Sequence, residues 1–277
     1  TAVRVRWNMN TDTPLPQEEP AGQNPPDGAI IDYYLDDNAK KVTLEIRDMQ
    51  HTLIRTYSNT DSLYKIPKGN VPPYWIRPQQ LLPSAKGSHR VTWDMHYQPM
   101  NETATYPIAA TYMNTAPNAT SPWVMPGIYR VVLNVDGKKI TQYLEVRMDP
   151  RVKTTTQGLQ QQHALSMQCY NGKIRCSKLL QEIRDVRSGL NIKMKTATAD
   201  QLKHLRLQDE AAAKLDMNAS GKEIGLTRLS STFASLMNVL QQSDNAPSSQ
   251  VMAAIVETNK QLERLTAQWG SLKNTHH

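Results

Sequence analysis

Sixteen of the chain's 17 prolines lie in its first 150 residues, and Pro150 is followed by 96 residues without one, up to Pro247. Proline has no backbone N–H to donate and disrupts helix interiors. The distribution therefore predicts two pieces, a proline-punctuated β-rich front and a nearly proline-free helical back. A chain of 277 residues is long enough for each piece to bury its own core. Charge divides the same way. Residues 1–150 carry 15 Lys/Arg and 15 Asp/Glu, whereas residues 151–277 carry 17 against 10, so the whole net charge of +7 falls in the back.

The basic residues of the back (Lys173, Arg175, Lys178, Arg184, Arg187, Lys193, Lys195) are interleaved with acids. They read as solvated helix faces, able to meet an acidic protein partner. No RNP-like, zinc-finger or basic-zipper pattern accompanies them, so nucleic acid is not expected. The chain has no apolar run of the ~18 residues that a membrane helix needs. It opens on the strand-like TAVRVRW without a leader, and reads as an internal or mature fragment.

Period-two alternation or β-branched and aromatic runs predict seven strands: Val3–Trp7, Ala29–Leu35, Lys41–Asp48, Thr52–Tyr57, Arg90–His96, Ile128–Val135 and Lys139–Met148. Seven short strands separated by turns fit an Ig-like antiparallel β-sandwich. Asp136-Gly137 between two of them is a strong hairpin signal. The expected domains are an extended proline-rich lead-in (1–28), the sandwich with long loops (29–150) and a three- to four-helix bundle (151–277). The loops Ser58–Ser88 and Tyr97–Pro126 carry Tyr64, Tyr74, Trp75, Tyr106, Tyr112 and Trp123, rings that need a surface to cover.

In the back, three seams recur at helical spacing. They are Leu165, Cys169, Gly172, Cys176, Leu179, Ile183, Val186 and Leu190; Leu226, Leu229, Phe233, Leu236 and Leu240; and Val251, Ile255, Thr258, Leu262, Leu265, Trp269 and Leu272. A shorter helix is expected over Ala199–Leu215. Cys169 and Cys176, seven residues apart on one helix, would stand ~10 Å apart along its axis. They read as two buried thiols, a disulfide requiring a local break in the helix.

Catalytic chemistry is hard to assemble. The adjacent carboxylates Glu18-Glu19, Asp36-Asp37 and Asp209-Glu210 do not imply two groups facing across a cleft. His51 falls at a hairpin turn, and neither His89 nor His96 has a spaced partner. No nucleophile elbow, zinc-protease motif or phosphate loop is present, so no catalytic residue, metal or cofactor is assigned. The better binding candidates are aromatic: Tyr74, Trp75 and Arg77 in the proline-framed PPYWIRP segment, and Trp123. They would either contact carbohydrate by ring stacking or pack against a neighbouring domain. Asn101, Asn118 and Asn218 head glycosylation sequons that are close to chance in this composition.

Residues Asn10–Leu35 (NTDTPLPQEEPAGQNPPDGAIIDYYL), Tyr74–Pro78 (YWIRP), His89–Tyr97 (HRVTWDMHY), Pro126–Leu133 (PGIYRVVL) and Val146–Arg151 (VRMDPR) carry a resemblance. They resemble the region that follows the β-propellers in large bacterial BNR-repeat glycosyl hydrolase-like, or sortilin-like, proteins. The Trp-Asp and Pro-Gly-x-Tyr layout is also similar to the Ig-like domain of flagellar hook-capping proteins. The resemblance covers residues 1–151. It implies a secreted, periplasmic or cell-surface bacterial protein with one or two propellers upstream. Any glycosidase residues would lie in those propellers. Three readings follow: a non-catalytic C-terminal module buttressing a propeller, a fragment of an exo-acting glycosidase whose aromatic loops contact carbohydrate, or a subunit of a surface or secretion assembly.

Overall fold

Val42, Leu44 and Ile46 alternate with Thr43, Glu45 and Arg47, and the first three are at most 1% exposed. That alternation sets the central strand of the front unit. In a computed structural model, the described residues are 1–6, 28–63, 79–100, 121–216 and 224–274. The chain combines β and α structure and divides into two compact units, Thr1–Lys153 and Thr154–His277.

The first unit holds β1 (Ala2–Arg4), β2 (Ala29–Leu35), β3 (Val42–Arg47), β4 (Leu53–Ser58), β5 (Gly87–Trp93), β6 (Gly127–Val135) and β7 (Lys138–Met148). Five strands form one sheet in the order β1-β7-β6-β3-β4, and β2 pairs with β5 in a second. Side chains from both sheets share one core, among them Leu35, Leu44, Ile46, Ile54, Val91, Trp93, Tyr129 and Val146. The Trp93 ring meets Tyr129 edge-on at 5.4 Å. Asp136 and Gly137 have φ of 48° and 94°, the paired positive angles of a two-residue hairpin turn, which glycine adopts without strain. The Asp136 carboxylate accepts from the backbone N–H groups of Lys40 and Lys41 at 3.1 and 2.8 Å. The turn is thereby pinned to the approach into β3.

Three expectations change. The first strand is Ala2–Arg4 rather than Val3–Trp7, and it runs parallel to β7, with Ala2 opposite Val146 and Arg4 opposite Met148. The five-stranded sheet is therefore mixed, not wholly antiparallel. A parallel neighbour needs a long connection, and here the whole run that holds β2 to β6 separates the two partners in sequence. The fifth strand begins at Gly87 and ends at Trp93, short of His96. Met95 takes φ 58°, and the Asp94 carboxylate accepts from the His96 N–H at 3.1 Å, which turns the chain out of the ladder.

The second unit holds α1 (Thr156–Met194), α2 (Ala199–Asp216), α3 (Leu226–Gln241) and α4 (Ser249–Asn274). The Thr155 hydroxyl caps α1 by accepting from the Gly158 N–H at 3.1 Å. All four helices line one core, which includes Cys169, Cys176, Ile183, Ala212, Leu229, Phe233, Ile255, Leu262 and Trp269. Over 39 residues the buried stripe of α1 drifts, so that Leu180 is buried and Leu179 only partly so. An apolar repeat near 3.5 residues slips around a helix of 3.6 residues per turn.

The start of α1, nine residues before the predicted seam begins at Leu165, is largely polar and still tightly packed. Gln162, 6% exposed, donates its side-chain amide to the carbonyls of Leu240 and Ser243 at 2.6 and 2.5 Å. The Leu240 carbonyl is in the last turn of α3, where acceptors lack intrahelical partners, and Ser243 follows the helix's C-cap. Ser166 accepts from the Gln241 side-chain amide and donates to the Gln162 carbonyl. Among the described residues no helix is long and apolar enough to cross a membrane.

Candidate functional site

Of the four sequence-derived binding candidates, Tyr74, Trp75 and Arg77 lie outside the described residues. Trp123 is described. It forms an isolated antiparallel bridge with His96, which joins the end of the loop before β6 to the turn after β5. The connection is reinforced by Tyr97 N–H donating to the Pro122 carbonyl (3.0 Å) and Val124 N–H to the Met95 carbonyl (2.9 Å). Ser121 donates its hydroxyl to the Tyr97 carbonyl at 2.5 Å.

Around Trp123 the side chains form a layered cluster. The His96 ring lies 4.1 Å away, tilted by 47°. The guanidinium groups of Arg4 and Arg6 each lie 5.5 Å from the indole centroid, within cation–π range. Arg4 is 3% exposed, and its Nη1 donates to the Val124 carbonyl at 2.8 Å. Arg55 completes the rim. It lies 5.0 Å over the Tyr57 ring and donates to the Tyr97 carbonyl at 3.0 Å. Two arginines from the first strand and its extension thus flank an aromatic that comes more than a hundred residues later.

Burial chiefly drives the His96 pKa below its ordinary value, opposed by Asp94 and assisted by Arg55 and Arg6. The imidazole is neutral at neutral pH. Its Nδ1 lies 2.8 Å from the Asp94 carbonyl, which can only accept, so Nδ1 carries the proton. A neutral histidine stacked on an indole between guanidinium groups clamps two loops to the sheet edge. Its donors and rings are directed at the protein's own backbone and side chains.

The remaining candidates are dispersed. His51 sits at the β3–β4 turn with φ 67° against Arg130. His89 packs 5.2 Å from Tyr33 and bonds the Ala85 carbonyl. Asp36 and Asp37 end β2, where Asp37 accepts from the Asn38 N–H. Asp209 pairs with Arg187 at 2.7 Å. Glu18, Glu19 and the three sequon asparagines lie outside the described residues. No group of three His, Cys, Asp or Glu that could hold a metal occurs among the described residues.

Cys169 and Cys176 are free and buried. Burial pushes their thiols up to about 12 and about 11, so neither is a ready nucleophile. On the basic unit, Arg184, Arg187, Ser188, Asn191, Ile192 and Lys195 line a surface groove of roughly 440 Å³ along the C-terminal third of α1.

Sequence reasoning singled out Trp123 but missed Arg4 and Arg6. Their spacing of two puts them on one face of an extended segment, and that was the available signal. Nothing local names the distant ring they meet. No protein-family model and no curated protein matches the chain.

Proposed function

We propose that the chain is a non-catalytic C-terminal structural and interaction module of a bacterial secreted or cell-surface β-propeller protein. In this reading it is an Ig-like β-sandwich followed by an antiparallel helical bundle. The resemblance over residues 1–151 supplies the propeller context. The observation that carries the non-catalytic reading is the Trp123 cluster. The one described aromatic candidate stacks on His96 and is flanked by Arg4 and Arg6, so it ties a loop to the first strand. Such a ring fits a packing role better than a sugar platform.

Trp123→Ala is expected to lower the stability of the β unit by about 2 kcal/mol, less than a fully buried tryptophan would. The unmodified chain is expected to retain no glycan on an array. Glycan capture that Trp123→Ala abolishes without loss of stability would replace this reading with the carbohydrate-contact one.

A second reading, docking of an acidic protein partner at the helical unit, is favoured by the groove lined by Arg184, Arg187 and Lys195. A poly-glutamate peptide should then bind at low ionic strength and be released by salt. Binding unchanged by Arg184→Glu with Lys195→Glu would remove that surface from consideration.

A further inference from the structure

The segment before β6, residues 121–125, straps onto the turn after β5. Two backbone bonds join them, from the Tyr97 N–H to the Pro122 carbonyl and from the Val124 N–H to the Met95 carbonyl, at 3.0 and 2.9 Å. The Ser121 hydroxyl adds one to the Tyr97 carbonyl, and Arg4 holds the Val124 carbonyl. The pairing is an isolated bridge rather than a ladder. At its centre the His96 and Trp123 rings stack 4.1 Å apart. Whatever disturbs that ring pair therefore acts on the whole strap.

The rings sit among cations. Among the described residues the charged groups acting on His96 are Asp94 from its own turn, Arg55 from β4 and Arg6 from the extension of β1. Arg4 stands beside the same indole as Arg6. Asp94 is the one carboxylate of this set, and it is shared and half-exposed: it lies 3.9 Å from Arg55 and accepts from the His96 N–H. The neutral ring already directs its Nδ1 proton at the Asp94 carbonyl, 2.8 Å away. A second proton has to go to Nε2, for which no acceptor stands among the described residues. Protonation would add a fourth positive charge beside three guanidinium groups, on an indole that two of them already flank. Burial and the arginines both disfavour the charged ring while the strap is closed. With the strap open, the ring meets water and takes its proton freely.

We propose that the Trp123–His96 joint is an acid-sensitive latch: protonation of the imidazole raises the population of a state in which the strap 121–125 has left the turn after β5, while both sheets keep their core. Linkage fixes the sign. The closed strap holds His96 below its ordinary 6.5, chiefly through burial. Closure is therefore fully favoured above about pH 6.5 and loses that support as pH falls through the lowered value. The open state stays the minor one, because it lifts the fully buried Val124 out of the core. Opening uncovers the Trp123 indole and releases it from Arg4 and Arg6. The chain thus hides this aromatic and basic patch at neutral pH and presents it more often in acid. The latch is independent of the propeller context, and differs from a global loss of stability in being confined to the strap.

The test is residue-resolved hydrogen exchange on the full chain at about pH 7.5 and about pH 5, each rate corrected for the intrinsic rate at that pH. The amides of Tyr97 and Val124 cross the joint and report its opening. Their opening should rise at least ~10-fold in acid, the effect of one pH unit of difference in proton affinity between closed and open states. The Gln98 amide, which bonds the Ile54 carbonyl of β4 instead of the strap, should keep its protection, as should the β3–β6 ladder. His96→Gln retains a side-chain donor for the Asp94 carbonyl but cannot titrate, and should abolish the rise. Arg6→Gln keeps the imidazole and removes one opposing cation, and should shrink it. Three results overturn the proposal: unchanged opening at Tyr97 and Val124 between the two pH values, an undiminished rise in His96→Gln, or an equal rise at Gln98 and along the β3–β6 ladder.

Discussion

Gly172 offers a test in which two ordinary effects carry opposite signs. In the middle of a helix, glycine is less favourable than alanine by about 1 kcal/mol, so Gly172→Ala ought to stabilise α1. Packing says otherwise. A Cβ at Gly172 would stand 2.6, 2.7 and 2.8 Å from Cζ, Cε1 and Cε2 of Phe233, where carbon atoms prefer about 3.5–4.0 Å. Three ring atoms therefore overlap the added methyl by roughly 1 Å each. Phe233 is fully buried in the core shared by all four helices, so its ring cannot swing into solvent.

Overpacking of this kind costs about 1–3 kcal/mol, occasionally more. Subtracting the propensity gain leaves a net destabilisation of about 0–2 kcal/mol, against a gain in the control below. The matched control is Gly189→Ala on the same helix, where the new Cβ meets nothing within 4 Å. That variant should gain up to about 1 kcal/mol. Urea titration followed by far-ultraviolet circular dichroism reads the helical unit directly. In a Phe233→Leu background the Gly172→Ala penalty should shrink or vanish, giving a measurable coupling. If Gly172→Ala stabilises as much as Gly189→Ala does, the close approach of α1 to α3 at this point is wrong.

Gln162→Leu should cost about 1–3 kcal/mol, because it takes the Gln162 donor from the buried Leu240 carbonyl and from the part-buried Ser243 carbonyl; a neutral result in the same titration would mean that those carbonyls have other partners. His96, whose folded pKa lies below its ordinary 6.5 chiefly through burial, favours the folded state while neutral. Its contribution is present above pH ~6.5 and lost as pH falls through the lowered folded value. Thermal melts of the native chain and of His96→Gln should therefore diverge in pH dependence below that point, and parallel curves would remove His96 as the cause. Cys169 and Cys176 should resist a thiol-specific disulfide reagent in the native chain and react fully in guanidinium. Rapid labelling at neutral pH would contradict their buried placement.

Where one face meets the core and the other meets water, the sequence reports it. Val42, Leu44 and Ile46 declare β3 by alternation alone, and Asp136-Gly137 declares its turn by the angles that only a few residues tolerate. Legibility fails where the partner is remote. Nothing in Ala2–Arg4 says that its neighbour is β7 or that the pairing is parallel, since strand direction is set by the length and path of a connection. The first three turns of α1 lack a full apolar stripe because part of their packing is polar: Gln162 and Ser166 serve the end of another helix. At the candidate site Trp123 was visible as an aromatic in a proline-rich loop. Its surroundings, Arg4 and Arg6 from the first strand and its extension and His96 from the turn after β5, come from two distant stretches and could be joined only in space.

The β1–β7 pairing joins residues 144 positions apart, which has a consequence for the nascent chain. At the ~5–20 residues per second of synthesis, Ala2 waits roughly 7–30 s before Val146 exists to receive it. Until then Arg4 and Arg6 have no strand to hold them beside the Val124 carbonyl and the Trp123 ring. The sheet can close only once Met148 has been made, a few residues before the first unit ends. Its earliest strand is thus among the last to find its place. Throughout that interval the outer edge of the growing sheet is open to any extended segment nearby.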